Sequence, residues 1–107
     1  MTLPLLFTGE LHRHPSVLDL AVRVDANPRS AAYHLMELWQ WGRMYGDYDN
    51  MKSATVVPLQ DLDMLTVAIP DTDEAFWLAA VDVGLIQYDR SAGLLLLPSS
   101  LLCFAPN

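Results

Sequence analysis

The sequence predicts a single, mainly α-helical domain with one small β-hairpin, an α+β chain. Three observations predict it. Residues 29–45 follow Pro28 and carry apolar residues at helical spacing without a break. Gly84 ends a second helical segment, and two apolar runs after it flank a five-residue turn closed by Gly93. The chain has 107 residues, of which 52% are apolar and 18% charged, which suits one core and excludes a disordered chain. The domain reads as residues 1–107, with an N-terminal arm over 1–13, a core over 14–98 and an apolar tail over 99–107.

The elements follow in order. Leu3, Leu5 and Phe7 alternate, which predicts an extended arm. His14-Pro15-Ser16 opens a first helix, with Val17, Leu18, Leu20, Ala21 and Val24 facing the core. Asn27 then caps, and Pro28 begins, a long second helix. At 100° per residue its buried arc holds Ala31, Ala32, Leu35, Leu38, Trp39, Gly42 and Tyr45. Gly42 costs a helix about 1 kcal/mol relative to alanine, so another element is expected to cross closely there. Trp41 and His34 stand at the edge of that arc, and the polar run 46–50 reads as a turn.

Val56-Val57 reads as a single short strand, and residues 58–69 as a short helical segment with Leu59, Leu62 and Leu65, ended by Pro70. Asp71 with Glu74 three residues on resembles a capping box for a helix whose apolar face is Phe76, Ala79, Ala80 and Val83. The hairpin pairs 85–88 with 94–97. No internal repeat is evident, and the tail bearing Leu101, Leu102 and Phe104 must bury its apolar surface on this chain or on a second copy.

Helix, long helix, short strand, short helix, helix and two-stranded wing is the order of a winged-helix domain. The residues resemble, more narrowly, the N-terminal winged-helix module of phage replication and replisome-organiser proteins. The likeness rests on His14-Pro15, on Ala31 through His34-Leu35 to Leu38-Trp39-Gln40-Trp41, and on Phe76 and Ala79 leading to Val83-Gly84-Leu85. It covers about residues 14 to 98. It implies a phage or mobile-element protein that handles DNA, usually with a longer C-terminal part, whereas this sequence ends soon after the wing.

Charge points elsewhere. The formal net charge is −7. Residues 53–107 hold seven acids, Asp61, Asp63, Asp71, Asp73, Glu74, Asp82 and Asp89, against Arg90 as the one base. DNA affinity comes largely from Lys and Arg neutralising phosphates, so a recognition helix with Asp73, Glu74 and Asp82 would be repelled. The expectation is therefore a non-enzymatic, winged-helix-like protein that binds a basic host or phage protein and modulates a nucleic-acid-handling enzyme. Asp71, Asp73, Glu74, Trp77, Asp82 and Asp89 would form the contact. Trp77 lies ~100° round the helix from Phe76, so burial of Phe76 would leave it partly exposed as an anchor. The alternative is a DNA-binding regulator or replication accessory using Arg13, Arg29, Arg43, Lys52 and Arg90. A homodimer through the arm or tail is a third reading.

Catalytic chemistry finds little support. His12 and His14 lack a third ligand at fixed spacing, His34 lies at a core edge, and no glycine-rich phosphate loop exists. Cys103 is the sole cysteine, which excludes an intramolecular disulfide and a cysteine-based zinc frame. It has no adjacent base or cation to activate it. Met1–Phe7 lacks the basic start of a signal peptide, and Leu94–Phe104 falls short of the ~20 residues a bilayer needs. The sequence thus predicts a cytoplasmic protein with no enzyme activity, no cofactor, no metal and no membrane partner.

Overall fold

The computed structural model describes residues 11–99, so the arm before Leu11, the tail after Ser99 and Cys103 lie outside the described residues. Leu11–Arg13 form a 3-10 turn that seats Leu11 in the core. His14 caps α1 (Pro15–Arg23), its Nδ1 accepting the Ser16 N–H at 3.1 Å. Val17, Leu20 and Ala21 are buried, whereas Leu18 is 42% exposed and not the core residue expected. It lies ~100° round the helix from Val17, away from the packed stripe.

Asp25 turns the chain with a left-handed φ of 52°, and Asn27 caps α2 (Pro28–Tyr45) by accepting the Arg29 N–H at 2.8 Å. Gly42 lies at the expected crossing. A Cβ there would run into Leu97 Cδ1 and stand 3.4 Å from Val57 Cγ2. The Trp39 indole N–H donates to the Pro98 carbonyl at 3.1 Å, a second tie between α2 and the sheet. Tyr45 departs from expectation. It is 62% exposed, because the last turn of α2 leads into a strand at the edge of the sheet.

That strand, β1 (Asp47–Asp49), occupies the run expected to be a turn. It pairs antiparallel with β2 (Ala54–Pro58), which is longer than the two valines suggested. Asp61 then accepts the Asp63 N–H at 3.0 Å and starts a 3-10 turn (Leu62–Met64) that continues as α3 (Leu65–Ala68). Asp71 is not the cap of the next helix. Its φ of 64° is left-handed, whereas a capping residue needs extended backbone. Asp73 meets that need and caps α4 (Glu74–Asp82), accepting the Phe76 N–H at 2.9 Å.

Gly84 turns out of α4 with a φ of 83°, as its position predicts. Leu85 and Ile86 enter the core rather than a strand, and the second hairpin is β3 (Gln87–Asp89) with β4 (Leu94–Pro98). The described residues therefore form an α+β fold of four α-helices and one four-stranded antiparallel sheet, ordered β1-β2-β4-β3. Val57, opposite Leu95, and Leu97 point inward to the buried face of α2.

The hairpins also correct the expectation that no repeat exists. Asp49 Oδ1 accepts the N–H groups of Met51 and Lys52, and Asp89 Oδ1 accepts the Ala92 N–H and the Ser91 hydroxyl. Ser53 and Gly93 both take left-handed backbone, with φ of 50° and 64°. The Leu59 N–H donates to Gly93 O at 2.8 Å, and the Ser99 N–H to Ser53 O at 2.9 Å. The β2–β4 register maps onto itself about Val56↔Leu96, since Ala54↔Pro98 becomes Pro58↔Leu94 when the strands exchange. Each hairpin follows a helix whose capping residue stands two positions after a left-handed aspartate. The described chain is thus a helix–helix–hairpin unit used twice around a local two-fold.

Candidate functional site

Residues 53–89 contain seven acids and no Lys, Arg or His. This stretch builds α3, α4 and β3, so any surface they share is anionic. The seven carboxylates have different occupations. Asp61 and Asp73 cap helical turns, and Asp89 holds the second hairpin turn. The Ser91 hydroxyl, followed by the Ala92 N–H, stabilises ionised Asp89 and holds its pKa below the ordinary value of 3.8. Asp63, Asp71, Glu74 and Asp82 make no side-chain hydrogen bond or ion pair among the described residues, and all four are exposed.

Trp77 is not part of this surface. It is fully buried, edge-on to Phe76 at 4.7 Å between ring centroids, with its indole N–H donating to Thr72 Oγ1 at 3.0 Å. Both aromatics fit inside because α4 packs against α1 on one hand and against the 3-10 turn and α3 on the other. A helix covered from two directions buries a wide arc. The exposed large apolar residue of α4 is instead Leu78, at 44% exposure. Its spacing puts it between Glu74 and Asp82 on one stripe of α4, four residues from each. Met64 and Val67, also exposed, add apolar surface just before α4. Leu78 was legible only as the residue after Trp77 once Trp77 had been placed. Asp82, the last residue of α4, sits where the helix dipole disfavours an anion, and no base accompanies it in that turn.

The basic residues are dispersed. Arg13 lies in the first 3-10 turn, Arg29 and Arg43 lie near opposite ends of α2, and Lys52 and Arg90 occupy the two hairpin turns. Arg29 and Arg43 are 14 positions apart, about 21 Å along the axis. No Lys or Arg lies on α4.

His34 Nδ1 stands 3.3 Å from Glu37 Oε1 and its ring packs edge-on against Phe76, which ties α2 to α4. His14 is a helix cap. Among the described residues, no group of three or more His, Cys, Asp or Glu is arranged to hold a metal, and no helix is long and apolar enough to cross a membrane. At the first hairpin a shallow cleft of about 400 Å³ is lined by Asp47, Tyr48, Asp49, Lys52, Val56 and Pro58. Beside it Met44, Tyr45, Tyr48 and Met51 are all more than half exposed, and the Trp41 ring packs on Tyr45 at 5.5 Å. Sequence reasoning misses this cluster, because it places Tyr45 in the core and reads residues 46–50 as a turn.

Compared with family models, with curated proteins and with solved structures, the chain finds no match.

Proposed function

We propose that this protein is a non-enzymatic, winged-helix-like module of phage or mobile-element type that binds a basic protein through α3 and α4. One observation carries the reading. Glu74, Leu78 and Asp82 form an exposed stripe with an apolar centre and unpaired carboxylates at both ends, in a 37-residue stretch without a single cation. Such a stripe suits a partner that offers an apolar contact between cationic residues, and the field of seven carboxylates speeds its approach. The arrangement of β2, α3, α4 and the β3–β4 hairpin, with β4 paired to β2, supports the winged-helix likeness. In that frame α4 stands where a recognition helix would read DNA, and its charge favours competition for a basic cleft instead.

The test compares the parent with a Glu74→Lys/Asp82→Lys variant, which leaves the Asp73 cap intact. Capture from a bacterial lysate, read by mass spectrometry, returns a basic protein that the variant fails to retain. Anisotropy with labelled duplex DNA shows no binding at low salt. DNA binding that collapses as salt rises would overturn the proposal and favour the arginine-based alternative.

A further inference from the structure

The two halves differ at one place where their backbones agree. In the second half the segment leaving β2 covers the hairpin: Leu59 and Leu62 are buried, and the Tyr88 hydroxyl donates to the Leu59 carbonyl at 2.8 Å. In the first half the corresponding tyrosine is Tyr48, which is 53% exposed and whose hydroxyl has no partner among the described residues. Both tyrosines stand on the helix side of the sheet. Tyr88 pairs with the buried Leu95, and Tyr48 pairs with Thr55, which pairs in turn with the buried Leu97. The local two-fold points to the segment that reaches Tyr48. β2 and β4 both end in proline, and the next residue makes the same bond in each half, Leu59 N–H to Gly93 O and Ser99 N–H to Ser53 O. The chain therefore leaves β4 as it leaves β2. Ser99 has no apolar side chain where the second half has Leu59, so an apolar cover has to come from the residues that follow it.

We propose that this chain's own residues 100–104 close the first hairpin, laying Leu101, Leu102 and Phe104 over the cluster of Met44, Tyr45 and Tyr48. Reach allows it. Tyr48 lies two strands from β4, about 10 Å across the sheet. Three residues beyond Ser99 span about 10 Å when extended, which brings both leucines within side-chain distance of Tyr48. Charge agrees. Asp47 and Lys52 line the same cleft, so neither sign is favoured there, and residues 99–107 contain no charged side chain. A second copy would instead bring its own net charge of −7 to a molecule of the same charge. The contact takes two apolar surfaces out of water at once, and methionine adapts its shape to what packs on it. With serine in the place of Leu59, the first hairpin remains the less closed of the two. This contact is separate from the α4 stripe, so neither proposal depends on the other.

The test uses the full chain and its sole cysteine, Cys103. Met44→Cys, Tyr48→Cys and Met51→Cys each place a second thiol in the cluster, and Met64→Cys and Val67→Cys place one near α4 as controls. All five positions are more than half exposed, so circular dichroism of the variants matches the parent. A disulfide needs its two Cα atoms within about 7 Å, so under mild oxidation of dilute protein at least one cluster variant is expected to pair with Cys103 about tenfold faster than either control. Mass spectrometry of the digested protein reads the pairing. Urea unfolding gives the second measurement. Tyr48→Ala and Leu101→Ala/Leu102→Ala are each expected to lower the midpoint, and together to lower it by less than the sum, because both remove the same contact. Pairing no faster in the cluster than in the controls would overturn the proposal, and so would losses that simply add. A disulfide joining two molecules, seen as a covalent dimer, would overturn it likewise, because the occupant would then be a second copy.

Discussion

The two halves of this protein share a backbone plan and divide its surface chemistry between them. The first half, through β2, is near charge balance and leaves a tyrosine–methionine cluster open at its hairpin. The second half closes the equivalent place with leucines and carries the acids on α3 and α4. Turn geometry, register and caps are the features the halves hold in common, and these are backbone requirements. Side chains outside those requirements have diverged. The difference teaches that in this fold the backbone sets where surfaces form, and the sequence then decides which of them are left open.

The comparison is sharpest between one tryptophan on each of the two helices, Trp77 on α4 and Trp41 on α2. Trp77→Ala removes a fully buried ring that also holds Thr72, and is expected to cost about 3–5 kcal/mol in urea unfolding. Trp41→Ala removes a half-buried ring at the open hairpin, and is expected to cost less than half as much. Equal losses would mean that the first hairpin is as closed as the second. Next in size is Gly42→Ala, for which α4 has no counterpart. The new methyl meets Leu97 and Val57, and overpacking at such a crossing costs about 1–3 kcal/mol despite the gain in helix propensity.

The turns offer a test with opposite signs. Ser53 and Gly93 share left-handed backbone, which strains any residue with a Cβ by roughly 1–2 kcal/mol. Ser53→Gly is therefore expected to raise the thermal midpoint and Gly93→Ser to lower it, by a few degrees each. Shifts of the same sign would break the equivalence of the two hairpins.

These results also separate what the sequence announces from what it conceals. Asn27-Pro28, Gly42 and Gly84 were legible because each residue type serves one backbone need with few substitutes. β1 was not, since Asp-Tyr-Asp has no apolar alternation and becomes a strand only through pairing with β2. The repeat was hidden for a related reason: its left-handed positions are filled by serine in one copy and glycine in the other. At the candidate site, the acidic character of residues 53–89 could be read directly, but the division of labour among the acids could not. Asp73 and Asp89 serve caps and turns that exist only in the folded chain, and Trp77 is buried by neighbours distant in sequence.

The smallest expected effect isolates that structural use of charge. Hydrogen bonds from Ser91 and Ala92 lower the pKa of Asp89 in the folded state below 3.8. A group depressed in this way adds stability above its unfolded pKa, and that stability is lost as pH falls through the folded value. Asp89→Asn retains an acceptor for the turn but removes the charge. The parent is therefore expected to melt slightly above the variant at neutral pH, with the gap closing as pH falls below about 4. Ser91→Ala removes the hydroxyl and leaves the backbone donor in place, so it is expected to narrow that gap. A gap that Ser91→Ala leaves unchanged would show that the backbone donors alone hold the charge, and that the serine hydroxyl adds nothing to them.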